Sequence, residues 1–368
     1  MTIPLSAPDI EQPEIDAVVE VLRSGRLSLG GRMEEFEAAM AAYTGAVQAV
    51  AVSSGTAALH LAIRALGISE GDEVILPSFA FIAAANVLRY ERAKPVFVDI
   101  DPHSLNLDAN RIEEAVTPRT RAILAVHTFG VPAAMHEILD IALRRRLLVI
   151  EDACEALGTE LGGKKVGTLG DAGVFGFYPN KQITTAEGGV VVTNKTEVAL
   201  RVRSLRNHGR APAAEPHVYS EVGYNYRLSE LHCALGVEQL KRIETILHGR
   251  EAIAAAYHQR LGKVEKLELP VLDLPGGRIS WFVFVVRLTQ NSGERRDAIV
   301  RELARRGIEA GHYFPAIHLQ PAYRDATTEH KSLPVTESVA ARTIALPFFN
   351  RITDRELKTV CEALEELA

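Results

Sequence analysis

Two spacings of hydrophobic positions share this 368-residue chain. Short aliphatic runs at 49–52, 73–76, 95–98, 122–126 and 147–150 have the length and bounding turn residues of buried strands. Between them, apolar residues recur every three or four positions at 56–66, 79–88, 109–116 and 135–145, which predicts helices. Strands alternating with helices require crossover connections, so the expected fold class is α/β, with a mostly parallel central sheet flanked by helices. Ligands of such sheets gather outside the carboxyl ends of the strands. Helices at 11–22 and 32–43 precede this pattern. Strands near 174–178 and 190–193 and helices at 196–206 and 229–246 follow it. A helix at 249–261 opens a different order: a strand at 281–288, a helix at 294–306, a short strand at 308–310 and a last helix at 356–367. This places a large domain at 1–249 and a smaller C-terminal α+β domain at 250–368. The stretch 208–228 is too long for a simple connector and reads as functional.

Three predicted strand ends and one loop carry candidate chemistry. Ser53-Ser54-Gly55-Thr56-Ala57 joins a strand to a helix, where backbone N–H groups and a small residue suit a phosphate. Asp152 follows the 147–150 strand, where a carboxylate can pair with a protonated pyridine nitrogen. Phe81 follows the 73–76 strand and can stack on a flat ring. Lys181 lies on a loop between two core strands, where an amine that sheds its proton can form a Schiff base. Each residue has a plainer role open to it: a helix N-cap for the serines and Asp152, core packing for Phe81, a solvated surface for Lys181. Their conjunction is what a pyridoxal phosphate site on a parallel sheet requires.

Composition narrows the alternatives. With 47% hydrophobic and 24% charged residues the chain has globular values, and a formal charge of -6 gives no footprint for nucleic acid. Arg144-Arg145-Arg146 runs straight into an apolar strand and reads as a solvated helix end. Three widely spaced cysteines indicate neither a disulfide framework nor a metal site, and no metal is expected. The first residues lack the pattern of a signal peptide and no apolar run is long enough to span a bilayer, so a cytoplasmic protein without a membrane partner is expected.

Over nearly its whole length the chain resembles the DegT/DnrJ/EryC1/StrS family of fold-type-I, pyridoxal-phosphate-dependent sugar aminotransferases. The likeness is carried by 53–59, 71–78, 94–101, 150–153, 167–171, the lysine stretch 175–189, 187–194, 206–210 and 223–227. It implies that Lys181 forms the internal aldimine and then shuttles a proton. Asp152 would pair with the pyridine nitrogen, Phe81 would stack on the ring, and Gly55, Thr56 and Ala57 would hold the phosphate. Asn225 would reach the phosphate of a neighbouring subunit, which implies a homodimer with shared active sites. Tyr313 and His318 would line the sugar side, while His60 reads as structural. Two departures stand out: Gly176 where most relatives have serine, and Glu155, facing the phenolic oxygen, where many have glutamine. Glu155 with Asn180 is similar to the GDP-perosamine synthase branch. The implied reaction moves an amino group from L-glutamate to a nucleotide-linked keto sugar of the 4-keto-6-deoxy type. An aminotransferase acting on a ketocyclitol or another antibiotic precursor, a non-catalytic regulatory protein that binds the cofactor, and a pyridoxal enzyme acting on amino acids alone are the alternatives, and Lys181 argues against the family's dehydratase branch, which has histidine there.

Overall fold

The computed structural model describes residues 2–210, 218–290, 293–324 and 332–368. Its central sheet is built from β1 (Gln48–Val52), β2 (Glu73–Pro77), β3 (Lys94–Val98), β4 (Thr120–Val126), β5 (Leu148–Asp152), β6 (Ala172–Gly176) and β7 (Gly189–Thr193), in the spatial order β1-β7-β6-β5-β4-β2-β3. The pairs β2·β3, β2·β4, β4·β5 and β5·β6 are parallel. β7 alone runs against its neighbours β6 and β1. The reason is local: the chain returns from β6 through the lysine loop without a helix, and a parallel neighbour would need a crossover.

Side chains alternate between two cores. Val50, Val74, Leu124, Ile150 and Val191 pack under the helices Gly55–Ala65 and Ala83–Tyr90, while Ile75, Ile123, Ala125 and Val149 face the helix Met135–Arg145 on the other side. In the helix Gly55–Ala65, Leu59, Leu61 and Ile63 are all buried. Each such side chain contributes about 1.5–3 kcal/mol. This burial fixes the helix N-terminus against the sheet edge where the site forms.

The C-terminal part of the chain builds a second, smaller sheet. Phe284–Leu288 is the middle strand of a three-stranded antiparallel sheet, between Leu267–Glu268 and Thr343–Leu346. Thr343–Leu346 was not anticipated, because four residues before a proline give little periodicity. The strand expected at 308–310 is absent as such: Ile308 and Gly311 make only isolated bridges, to Ile3 and Ala345. Position 250 lies inside the helix Ile243–Leu261 rather than in a linker. That helix serves both units, with Ile243, Ile246 and Leu247 in the large core and Ala254, Tyr257 and Leu261 in the small one. A break at Arg242, whose side chain pairs with Asp9, Glu11 and Glu14, separates it from the helix Glu230–Lys241.

Candidate active site

A cavity of about 430 Å³ opens at the carboxyl ends of β4, β5 and β6, a volume suited to a small organic ligand. Its floor is a close meeting of backbones. A Cβ on Gly189 would lie 2.3 Å from the Ser54 carbonyl oxygen, and one on Gly55 would lie 3.1 Å from Cys154 Sγ. Glycine is required at 189 because no neighbour there is a side chain that can yield. Ser54 caps the helix by accepting the Ala57 N–H at 3.0 Å. The N–H groups of Gly55 and Thr56 are left unpaired among the described residues, at the positive end of a helix. An anion fits this cradle. Ala57, expected to help hold the phosphate, already spends its N–H on Ser54 and does not line the cavity.

Asp152 is the last residue of β5, so alternation sends Glu151 to the opposite face. Glu151 is fully buried there and accepts the N–H groups of Gly167, Leu169 and Gly170, each at 2.7 Å, and lies 3.1 Å from His127 Nε2. Because His127 Nδ1 accepts the Ala133 N–H, the ring proton is on Nε2 and is donated to Glu151. This anchorage leaves Asp152 facing the cavity, 8% exposed, with Oδ1 accepting the Cys154 N–H at 3.1 Å. A buried carboxylate at that edge suits a cationic ring nitrogen.

The lysine loop is held by its own backbone: the Lys181 N–H donates to Tyr178 O, the Thr185 N–H to Phe177 O and the Phe177 N–H to Gly188 O. Ile183 is buried beneath it, and Gln182 Nε2 donates to the Glu155 carbonyl at 2.6 Å and to Ser280 Oγ at 2.9 Å. These bonds turn Lys181 into the cavity. Its Nζ lies 3.9 Å above the Phe282 ring centroid and 3.6 Å from Glu155 Oε1. Glu155 lines the cavity. Its Oε2 accepts the N–H of Phe129, a residue held at φ 58°, at 2.9 Å. Burial raises the Glu155 carboxyl above its ordinary range, against the opposing pull of Lys181 and the Phe129 N–H. A carboxyl biased towards its protonated form can donate to a phenolic oxygen instead of repelling it.

Phe81 stands at the rim, 58% exposed, its ring 6.4 Å from that of Phe314. The helix expected from 79 starts only at Ala83, and the turn before it swings Phe81 out over the cavity. Tyr313 lines the opposite wall, stacked on Phe282 and Phe314, and burial raises its hydroxyl's pKa. Asn180, Cys154, Glu187 and Phe314 also line the cavity, and Lys181 is its only cationic lining residue among those described. His318 departs from expectation. It is buried outside the cavity, with Nδ1 2.7 Å from Ser78 Oγ and Nε2 3.3 Å from Glu337 Oε1. Asn225 is exposed on the 218–228 stretch, paired with Asn207, and does not line its own chain's cavity. Residues 211–217 of the long loop lie outside the described residues. His60 is buried between Glu91 and Tyr226, away from the site.

Sequence reasoning missed Phe282 and Phe129. Trp281 and Phe282 read as the start of a strand, where Phe282 would share a face with Phe284. In the structure that strand begins at Phe284, and the irregular 281–283 segment sends the two rings to different cores. Phe129 meets Glu155 through its backbone N–H, a contact with no side-chain signal.

What these residues accommodate is a flat, anionic cofactor anchored by its phosphate and reached by an amine; the class so defined is the pyridoxal-phosphate-dependent aminotransferases. The sequence pattern of the DegT/DnrJ/EryC1/StrS aminotransferase family matches residues 8–365. GDP-perosamine synthase of Caulobacter vibrioides is 39% identical over 367 residues, covering 99% of this chain and 98% of that protein. The structure of DesV from S. venezuelae is 38% identical with a TM-score of 0.89, covering 96% of this chain and 93% of that one. Spr1654 from Streptococcus pneumoniae, in its PLP form, is 26% identical with a TM-score of 0.95, covering 100% and 98%. The chain belongs to the DegT/DnrJ/EryC1/StrS aminotransferase family. Its fold is that of the fold-type-I enzymes and its chemistry is sugar transamination. Among the described residues, no helix is long and apolar enough to cross a membrane.

Proposed function

We propose that this enzyme takes an amino group from L-glutamate and delivers it to a nucleotide-linked keto sugar of the 4-keto-6-deoxy type, in two half-reactions. The observation that carries this reading is Glu155, tethered to Phe129 and facing Lys181 in a chain 39% identical to a GDP-perosamine synthase. Pyridoxal phosphate, when bound, supplies the carbonyl that carries the amino group and the electron sink that makes the adjacent proton labile. The N–H groups of Gly55 and Thr56, with the Thr56 hydroxyl, would hold the phosphate. Asp152 would pair with the ring nitrogen, Phe81 would stack on the ring, and Glu155 would meet the phenolic oxygen with a proton to share. Lys181 Nζ then removes a proton from the donor carbon and returns one to the sugar carbon, which fixes the configuration of the new amine. Tyr313 contacts the sugar. Asn225 reaches the phosphate of the partner subunit in a cytoplasmic homodimer, which accounts for its exposure in the single chain.

The test is single-turnover amination by the glutamate-loaded enzyme, offered GDP-4-keto-6-deoxymannose and UDP-linked 4-keto sugars in parallel. Return of the starting spectrum with the GDP sugar alone is the expected result. Return with a UDP sugar only removes the GDP assignment, and no return with any nucleotide sugar overturns the substrate class.

A further inference from the structure

We propose that Ser78, His318 and Glu337 form a latch that holds the Tyr313–Phe314 wall over the keto-substrate half of the cavity, making Ser78 and His318 positioning residues for the second half-reaction. This rests on the substrate reading above only for the identity of the larger ligand.

Ser78 is the first residue after β2 and lies three positions before Phe81. Three bonds from the 317–318 segment converge on it. The Ile317 N–H donates to the Ser78 carbonyl at 2.9 Å, the His318 N–H to Ser78 Oγ at 3.0 Å, and the His318 ring meets the same Oγ through Nδ1 at 2.7 Å. The Glu337 carboxylate beside Nε2 can only accept, so Nδ1 carries no proton and accepts the Ser78 O–H. The ring proton then sits on Nε2, facing Glu337 Oε1 at 3.3 Å. Ser78 and His318 are 0% and 6% exposed, so no ligand competes for these bonds.

The latch is anchored at both ends. Glu337 also accepts the Leu333 N–H at 2.9 Å, and its helix, Pro334–Ala340, is pinned to the end of the sheet where Asp99 accepts the N–H groups of Val335 and Thr336 at 3.0 and 2.8 Å. At the other end the segment delivers Phe314 against Phe129 and Phe79, and Tyr313 against Phe282, the ring beneath Lys181. Ser78 thereby sets where the wall stands relative to the amine. A small amino donor needs only the floor of the cavity. A sugar on a nucleotide must also fit against the wall, so loosening the latch falls on the second ligand alone.

The experiment compares holoenzymes of the wild type, Ser78→Ala, His318→Ala and His318→Asn, following each half-reaction by stopped flow and amide hydrogen exchange of residues 311–319 by mass spectrometry. Ser78→Ala and His318→Ala should raise the half-saturating keto-sugar concentration roughly tenfold, as expected when a buried hydrogen-bonding group loses its partner. The donor half-reaction should stay within about twofold, and exchange in 311–319 should rise while the rest of the chain keeps its protection. His318→Asn, which retains an acceptor for Ser78, should recover most of the loss. Equal losses in both half-reactions, or unchanged exchange in 311–319, would overturn the latch. If the wild type aminates none of the nucleotide sugars, the substrate reading fails, and exchange together with the donor half-reaction still decides the latch.

Discussion

The two halves of the cavity are built on different principles. On the cofactor side, Gly55, Thr56, Asp152 and Lys181 are placed by strand ends and by a loop clamped between two strands, so main-chain geometry decides where each group points. On the opposite side, Tyr313 and Phe314 belong to an irregular segment whose position comes from contacts with Ser78, Phe129 and Phe282. One half is set by regular structure and the other by side-chain bonds. The first should tolerate little change anywhere, while the second should shift substrate use before it harms the fold.

The sharpest break in that contrast would come at Lys181. Lys181→Ala should lower single-turnover amination by about 10²–10⁴-fold, the usual worth of a positioned acid–base group. Retained turnover would show that another group moves the proton. Asp152→Asn, which keeps the shape and removes the charge, should slow both half-reactions by roughly 10- to 150-fold, corresponding to about 1.5–3 kcal/mol for a charged hydrogen bond. A loss confined to one half-reaction would contradict a role at the ring nitrogen. Gly189→Ala would push a methyl group within 2.3 Å of the Ser54 carbonyl oxygen and should cost about 1–3 kcal/mol in urea denaturation. Gly31→Ala, with nothing within 4 Å, should stay within about 0.5 kcal/mol.

The smallest effect is in pH dependence. Burial raises the Glu155 carboxyl, so the folded chain holds that proton more tightly than the unfolded chain does. Its contribution to stability is whole below the unfolded value near 4.5 and is lost as pH rises through the folded value. Glu155→Gln has no such loss. Without added cofactor, its urea midpoint should therefore gain on the wild type as pH rises from about 4.5. Parallel pH profiles would mean that folding does not shift the Glu155 carboxyl.

That division also explains what could be read from the sequence. Strand–helix alternation is a local signal, and it placed Asp152, Lys181 and the Gly55 turn at the edge where the structure has them. The antiparallel β7 followed from a missing crossover helix, which a strand-by-strand reading does not weigh. His318 was misplaced because a histidine near an aromatic segment has the same sequence appearance whether it faces a ligand or a buried serine. Only the fold, by bringing Ser78 within 2.7 Å across a separation of 240 positions, distinguishes the two. Phe282 was hidden by two aromatic residues that read as one strand and serve two cores.

The helix Ile243–Leu261 runs for about 28 Å at 1.5 Å per residue, and both cores grip it. Its one glycine, Gly249, is no weak point, since Asn350 packs where a Cβ would stand and donates Nδ2 to the Ile246 carbonyl at 2.8 Å. The next residue's buried guanidinium, that of Arg250, donates to the carbonyls of Trp281 and Phe282 at 2.6 and 2.7 Å and to Asn350 Oδ1 at 3.1 Å. Burial pulls its pKa down to about 10, still far above neutrality, so the cation persists. In mechanical terms the junction is a strut with a welded collar, and the collar ends on the residue beneath Lys181. A force applied to the small unit therefore reaches the amine through one pair of hydrogen bonds and the contact of the Phe282 ring with Lys181 Nζ.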